Sequence, residues 1–146
     1  MRAVVQRVTR AEVRVEGVAV GAIGTGLAIL LGVGRSDGTA AADRMAARLA
    51  RLRVFPDAAG RFDESLLDTG GGALVISQFT LYGDTSRGNR PSFGEAVAPE
   101  LAEPLYERVC ERIAAEGVSP VERGRFGAHM EVELVNDGPV TIIIEL

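Results

Sequence analysis

Two short segments carry most of the residues that could do chemistry in this chain of 146 residues. The first begins with Ser77, Gln78, Phe79 and Thr80, which follow an apolar run at 74–76 and precede a loop containing glycine and arginine. Such a loop cannot continue a strand, so these four residues are predicted to stand at a strand-to-loop transition. Backbone N–H groups at such a transition can stabilise an oxyanion without any ionisable side chain. The residue types alone also allow a simpler interpretation, in which the hydroxyl groups only satisfy nearby backbone groups.

The second segment is the pair Gly138-Pro139, which lies between two strongly apolar runs. Glycine supplies unusual backbone angles, and proline removes a hydrogen-bond donor. Such pairs are common in turns, which favours a hairpin. The alternative is a cis peptide bond, which would turn two neighbouring carbonyl groups in nearly the same direction as rigid acceptors.

The usual catalytic constellations are missing from the sequence. A Ser-His-Asp or Cys-His arrangement needs a base beside the nucleophile, and His129 is the one imidazole. We expect His129 to have a structural role in an alternating strand beside Met130, and Cys110 to pack as a small buried hydrophobe. One cysteine excludes an internal disulfide, and no His/Cys cluster exists for zinc, so we expect neither metal nor cofactor. The glycines at 21–26 lack the spacing and context of a phosphate-binding loop.

Length and composition indicate a single globular domain spanning residues 1–146, with a hydrophobic content of 47% that suffices for a core. No run approaches the roughly 18 apolar residues of a membrane span, and no secretory signal is evident, so we expect a soluble cytoplasmic protein. The net charge of -4 argues against wholesale wrapping of nucleic acid but is compatible with gripping one RNA end. All 16 basic residues are arginine.

Hydrophobic periodicity predicts two helices and seven or eight strands, which together indicate a mixed α/β layered architecture. The helices are predicted at about 39–52 and 99–116, with Pro104 as an awkward residue in the second. The predicted strands lie at residues 3–8, 12–15, 18–23, 27–33, 53–55, 73–79, 131–135 and 140–146.

Both chemical segments, in a chain of this length, resemble the D-aminoacyl-tRNA deacylase family. The resemblance runs from MRAVVQRVTRAEV at the start to NDGPVTIIIEL at the end. It implies a three-layer β/β/α arrangement of two packed sheets with helices on one side, assembled as a homodimer. It also implies hydrolysis of the ester between a D-amino acid, or glycine mischarged on alanine tRNA, and the terminal adenosine of tRNA. Two departures from the family pattern, at His129 and in residues 61–68, are expected to alter local loop contacts and pH behaviour.

The resemblance also implies roles for the first segment. Phe79 and Thr80 would contribute main-chain donors to the oxyanion, while Ser77 and Gln78 would hold the terminal nucleotide and the loop geometry. A competing mechanism makes Thr80 a covalent nucleophile, although no base is evident to activate it.

The second segment would act as a chirality filter on the partner subunit. In the family, the Gly138-Pro139 bond would be cis and would enter the other subunit's active site, where an L side chain collides with the backbone. Arg7 would brace these carbonyl groups, and the pocket walls would include Ala102, Phe126 and Met130.

Two other classes of function remain open at this point. A noncatalytic dimeric RNA-binding module that recognises aminoacylated ends would fit the missing triad equally well. A structural interaction protein would bind no tRNA at all.

Overall fold

The computed structural model describes residues 1–146. It contains eight strands, three α-helices and one short 3-10 helix. The strands are β1 (Arg2–Val15), β2 (Val18–Ile23), β3 (Gly26–Gly32), β4 (Phe55–Pro56), β5 (Phe62–Glu64), β6 (Gly72–Ser77), β7 (Val121–Arg123) and β8 (Glu131–Glu145). The α-helices are α1 (Thr39–Ala50), α2 (Leu66–Thr69) and α3 (Pro99–Ala115), and the 3-10 helix is Phe79–Tyr82.

Six strands form one hydrogen-bonded sheet in the order β2-β1-β3-β6-β7, with β8 paired to β1. The long strand β1 organises this sheet. One of its edges pairs with β8 from Arg2 to Arg14, whereas the other pairs first with β3 and then with β2. Strand β6 runs parallel to both β3 and β7. Strands β4 and β5 form a separate two-stranded sheet.

The core lies on both faces of β3 and β6. Side chains alternate across a strand, so neighbouring residues of these strands enter different apolar clusters. Ile29 and Val75 belong to the larger apolar cluster, which also contains the buried residues of α1 and α3. Ala28 and Leu74 belong to a second cluster, which contains residues of β1 and β2. Strand β2 therefore covers the face opposite the helices, and a Cβ on Gly21 would lie 3.2 Å from the Leu74 side chain.

These positions confirm the α/β fold with helices on one side. The two β layers are halves of one continuous sheet, since β1 belongs to both. Residues 3–8 and 12–15 were expected to form separate strands, but the register shift between Val8 and Arg10 bends the pairing without ending the strand.

Three short elements escaped prediction from periodicity: β5, α2 and β7. Each is too short to show a repeating apolar pattern and depends on specific contacts. In α2, a capping box joins Ser65 and Asp68, with the Ser65 amide donating to Asp68 Oδ2 at 2.8 Å. Strand β7 is held by parallel pairing to β6.

The two long helices pack together against the sheet. Arg108 of α3 forms a two-point ion pair with Asp43 of α1, at 2.8 and 2.9 Å. Pro104 lies within α3 and the helix continues through it. The predicted burial of Cys110 is confirmed. None of the helices has the length and apolar character that a membrane crossing would require.

Candidate active site

The residues of the first segment stand where β6 ends. Ser77 is the last residue of that strand, and Phe79 begins the 3-10 helix. The Gln78 amide donates to the Leu31 carbonyl at 2.8 Å, which extends the pairing with β3 by one residue. The predicted strand-to-loop transition is confirmed, although the strand stops at Ser77 rather than at Phe79 because the chain turns into the 3-10 helix.

A cleft of about 840 Å³ opens at this edge of the sheet, and most of its lining is apolar. This volume and composition are typical of small-molecule sites. Six of the predicted site residues line it together: Ser77, Gln78, Phe79, Ala102, Phe126 and Met130. Thr80 follows directly in the chain and is exposed, but it does not line the cleft.

The first turn of the 3-10 helix leaves backbone donors free. The amides of Phe79 and Thr80 form no hydrogen bond within the chain, as is usual for the first residues of a helix. The Thr80 hydroxyl accepts a hydrogen bond from the Gln78 side-chain amide. An amide N–H cannot take up a proton, so this contact supplies no base to activate the hydroxyl.

Tyr106 of α3 closes the floor of the cleft. Its hydroxyl donates to the Val75 carbonyl at 2.9 Å, and its ring lies 5.9 Å from that of Phe126. Burial raises the pKa of Tyr106 well above its usual value, so the phenol stays protonated at neutral pH. Sequence reasoning missed this residue, although it lies one helical turn from Ala102 and so shares its face.

We had expected His129 to lie in a strand, but it does not. It is exposed in the loop before β8 and lines the cleft. The strand begins only at Glu131, because Gly127 has φ +71° and the chain turns there. Cys110 is not suited to nucleophilic catalysis, since burial raises the pKa of its thiol to about 12 and keeps the thiol protonated.

Gly138 and Pro139 lie outside the cleft lining of their own chain. Along β1, Gln6 pairs with Thr141 and Val8 pairs with Asn136, so residues 137–140 bulge out opposite a single residue. The hairpin interpretation is therefore wrong, and the pair is an outward bulge within β8. The Gly138-Pro139 peptide bond is cis.

Arg7 is the residue opposite this bulge, and it is only 8% exposed. Its Nε donates to the Asp137 carbonyl at 3.2 Å, and Nη1 donates to the Val54 carbonyl at 2.6 Å. The contact thus falls one residue before the two carbonyl groups that we expected it to brace. Asn136, which sequence reasoning missed, accepts a hydrogen bond from the Val140 amide at 3.0 Å and closes the bulge.

The chain matches the family model described as D-Tyr-tRNA(Tyr) deacylase over residues 4–145. The D-aminoacyl-tRNA deacylase of Symbiobacterium thermophilum is 59% identical over 145 residues, which cover 99% of this chain and 95% of the relative. The D-aminoacyl-tRNA deacylase of Deinococcus radiodurans is 53% identical over 146 residues, the full length of both chains.

Solved structures show the same fold. A protein described as c-Myc DNA Unwinding Element Binding Protein superposes with a TM-score of 0.94 at 40% identity, covering 100% of this chain and 99% of the other. A probable eukaryotic D-amino acid tRNA deacylase superposes with a TM-score of 0.84 at 19% identity, covering 99% and 98%.

Proposed function

Because this chain belongs to the D-Tyr-tRNA(Tyr) deacylase family, we propose that it is a hydrolase that cleaves the ester bond of D-aminoacyl-tRNA. The products are a free D-amino acid and tRNA. The observation that carries this proposal is the cleft at the end of β6, where the free amides of Phe79 and Thr80 adjoin an apolar pocket. Preorganised N–H donors of this kind stabilise the oxyanion of acyl transfer.

In the proposed reaction, the ester carbonyl lies beside the amides of Phe79 and Thr80. Water attacks the carbonyl carbon and the C–O bond to the ribose breaks. One proton of the water passes to the released ribose oxygen and the other to solvent. The neighbouring ribose hydroxyl of the substrate assists this transfer, because Tyr106 stays protonated and the hydroxyl of Thr80 has no base beside it. Ser77 and Gln78 hold the terminal nucleotide.

The apolar walls suit a range of amino acid side chains. Ala102, Phe126 and Met130 line the cleft without placing a charge in it. Shape selection in such a pocket discriminates by only about 1–3 kcal/mol per methylene. The same pocket admits glycine, so we include glycine mischarged on alanine tRNA among the substrates. Since aminoacyl-tRNA is made and used in the cytoplasm, we place the protein there.

Rejection of L-amino acids requires an element that does not depend on the side chain. We assign it to the backbone at Gly138-Pro139, acting across a homodimer. Within one chain this bulge is exposed and lies apart from the cleft lining, so it can act on a cleft only in a second copy. On the same strand, the Ile143 side chain is 71% exposed and offers an apolar contact for that copy.

The test is release of free amino acid from D-tyrosyl-tRNA, with L-tyrosyl-tRNA as the matched control. We expect hydrolysis of the D form and little hydrolysis of the L form. A noncatalytic module that recognises RNA ends would bind both without turnover, and a structural interaction protein would bind neither. The dimer is tested in the same samples by light scattering, and a monomer with full activity and full D preference would contradict it.

A further inference from the structure

Most arginines of this chain are neutralised by carboxylates of the same chain. Ion pairs hold the arginines at positions 2, 7, 10, 14, 51, 53, 61, 108, 112 and 123. The exceptions, which form no ion pair, are Arg35, Arg44, Arg48, Arg87, Arg90 and Arg125. An exposed cation without a protein partner is available to an anionic ligand, so the positions of these six decide where such a ligand could bind.

Two of the six lie on the loop that follows the 3-10 helix. Arg87 and Arg90 are exposed on residues 83–92. The backbone groups of Asp84 and Ser92 pair at 2.8 and 2.9 Å and close the base of this loop. The next residue, Phe93, lines the cleft. The two arginines therefore stand on a closed loop rooted at the cleft rim.

Further contacts connect this loop to the cleft. The ring of Phe93 packs edge-on against that of Phe79, with the ring centroids 5.1 Å apart. Arg35 also lines the cleft, and its amide donates to the Glu95 carbonyl at 3.0 Å, just beyond the loop. Exposed aromatic rings beside unpaired cations are typical of surfaces that bind single-stranded nucleic acid.

Not every carboxylate near these arginines is available to neutralise them. Asp84 is occupied by Ser86, whose amide and hydroxyl donate to it at 2.9 and 3.0 Å. Glu95 is the other acidic residue of the segment. Beyond the cleft, Arg125 and Arg14 share a small cavity with two carboxylates, Glu16 and Glu131, so the charges there balance. The excess of positive charge therefore lies on the loop side.

We propose that Arg87 and Arg90, with Arg35 at the cleft, form the path along which the phosphates of the single-stranded 3′ end of aminoacyl-tRNA approach the site. This inference rests on the proposed function and adds the contacts that recognise the RNA. The net charge of -4 gives the protein no general attraction for RNA. The phosphate contacts must then be local, and guanidinium groups suit them through paired N–H donors.

The experiment compares the double variant Arg87→Ala/Arg90→Ala with the control Arg44→Ala/Arg48→Ala. The control removes the same charge from unpaired, exposed arginines on α1, away from the cleft. Each variant is assayed on D-tyrosyl-tRNA and on the D-tyrosyl ester of adenosine, which carries the reacting bond but no phosphate. For D-tyrosyl-tRNA, kcat/KM is measured across a series of salt concentrations.

Single-strand phosphate contacts contribute a salt slope of about −0.7 each, so two lost contacts should flatten the logarithmic plot of kcat/KM by about 1.4. At low salt, kcat/KM on D-tyrosyl-tRNA should be higher for wild type than for the loop variant. The ratio of the two kcat/KM values should fall roughly sevenfold when salt rises from about 50 to about 200 mM. Hydrolysis of the adenosine ester should stay within about twofold of wild type, since that substrate offers no phosphate to lose. The control variant should retain the wild-type slope.

Two results would overturn the inference. One is a loop variant whose rate and salt slope equal those of the control. The other is an equal loss on both substrates, which would mean that the loop shapes the reacting site instead of holding phosphates. If wild type hydrolyses neither substrate, the proposed function fails. The inference is then tested by filter binding of uncharged tRNA at the same salt concentrations, with the salt slope of the loop variant compared with those of wild type and the control variant.

Discussion

Replacing Phe79 with proline is expected to remove an oxyanion donor while leaving the backbone fold intact. Phe79 is the first residue of the 3-10 helix, and its amide forms no hydrogen bond within the chain. Proline is well tolerated at the first position of a helix. Gln78 before it has φ −145° and ψ 79°, which lies outside the helical region that a following proline disfavours. The substitution therefore removes only the N–H group and the ring.

The variant Phe79→Ala isolates the contribution of the ring, because it keeps the N–H group. The Phe79 side chain is 60% exposed, and its edge-to-face contact with Phe93 is worth about 0.5–1.5 kcal/mol. The alanine variant should thus lose at most about tenfold in rate, since 1.4 kcal/mol corresponds to tenfold. Loss of one oxyanion-hole donor costs about 100- to 1000-fold. The proline variant should fall below the alanine variant by that further factor.

The assay is single-turnover hydrolysis of D-tyrosyl-tRNA with enzyme in excess, so that the chemical step is measured. Circular dichroism and urea unfolding of both variants establish that each is folded. If the two folded variants hydrolyse the substrate at rates within about threefold of each other, well short of the loss of a donor, the Phe79 amide does not stabilise the oxyanion.

Four further outcomes are expected. Thr80→Ala should keep its single-turnover rate within about tenfold of wild type, because the backbone donor survives, whereas a loss above about a thousandfold would indicate a nucleophilic hydroxyl. Gly138→Ala should reduce the ratio of D- to L-tyrosyl-tRNA hydrolysis, since Gly138 has φ +135° and a Cβ there would lie 2.9 Å from a backbone nitrogen; an unchanged ratio would contradict the filter. Tyr106→Phe should lower the free energy of unfolding in urea by only about 1 kcal/mol, because the Val75 carbonyl keeps a second donor, and a loss above about 3 kcal/mol would contradict this. Cys110, whose pKa burial raises to about 12, should react with iodoacetamide at neutral pH only after unfolding, and rapid alkylation of the folded protein would refute its inertness.

Periodicity predicted the interior of the fold well, for physical reasons. The apolar runs of β3 and β6 are nearly continuous because both faces of these strands are buried. The apolar spacing also predicted helix α1. Its predicted end at residue 52 overshot the observed end at Ala50, since helix ends depend on capping contacts more than on periodicity.

Parts of the site resisted prediction because they depend on contacts between distant segments. Tyr106 lines the cleft because α3 packs over β6, where the Tyr106 hydroxyl donates to the Val75 carbonyl. His129 was expected in a strand because its neighbours alternate, yet Gly127 turns the chain and leaves the imidazole exposed. A local pattern does not contain such information.

By itself, the sequence determined that a buried strand gives way to a turn within residues 77–80, because apolar residues are replaced there by polar residues and glycine, although it placed the end of the strand at Phe79 rather than at Ser77. It also marked Gly138-Pro139 as unusual backbone. Tertiary structure alone decided that this pair forms a bulge opposite Arg7 and lies apart from the cleft of its own chain. The reason is that strand register is set by all the paired side chains of β1 and β8 together, and no single segment of the chain specifies it.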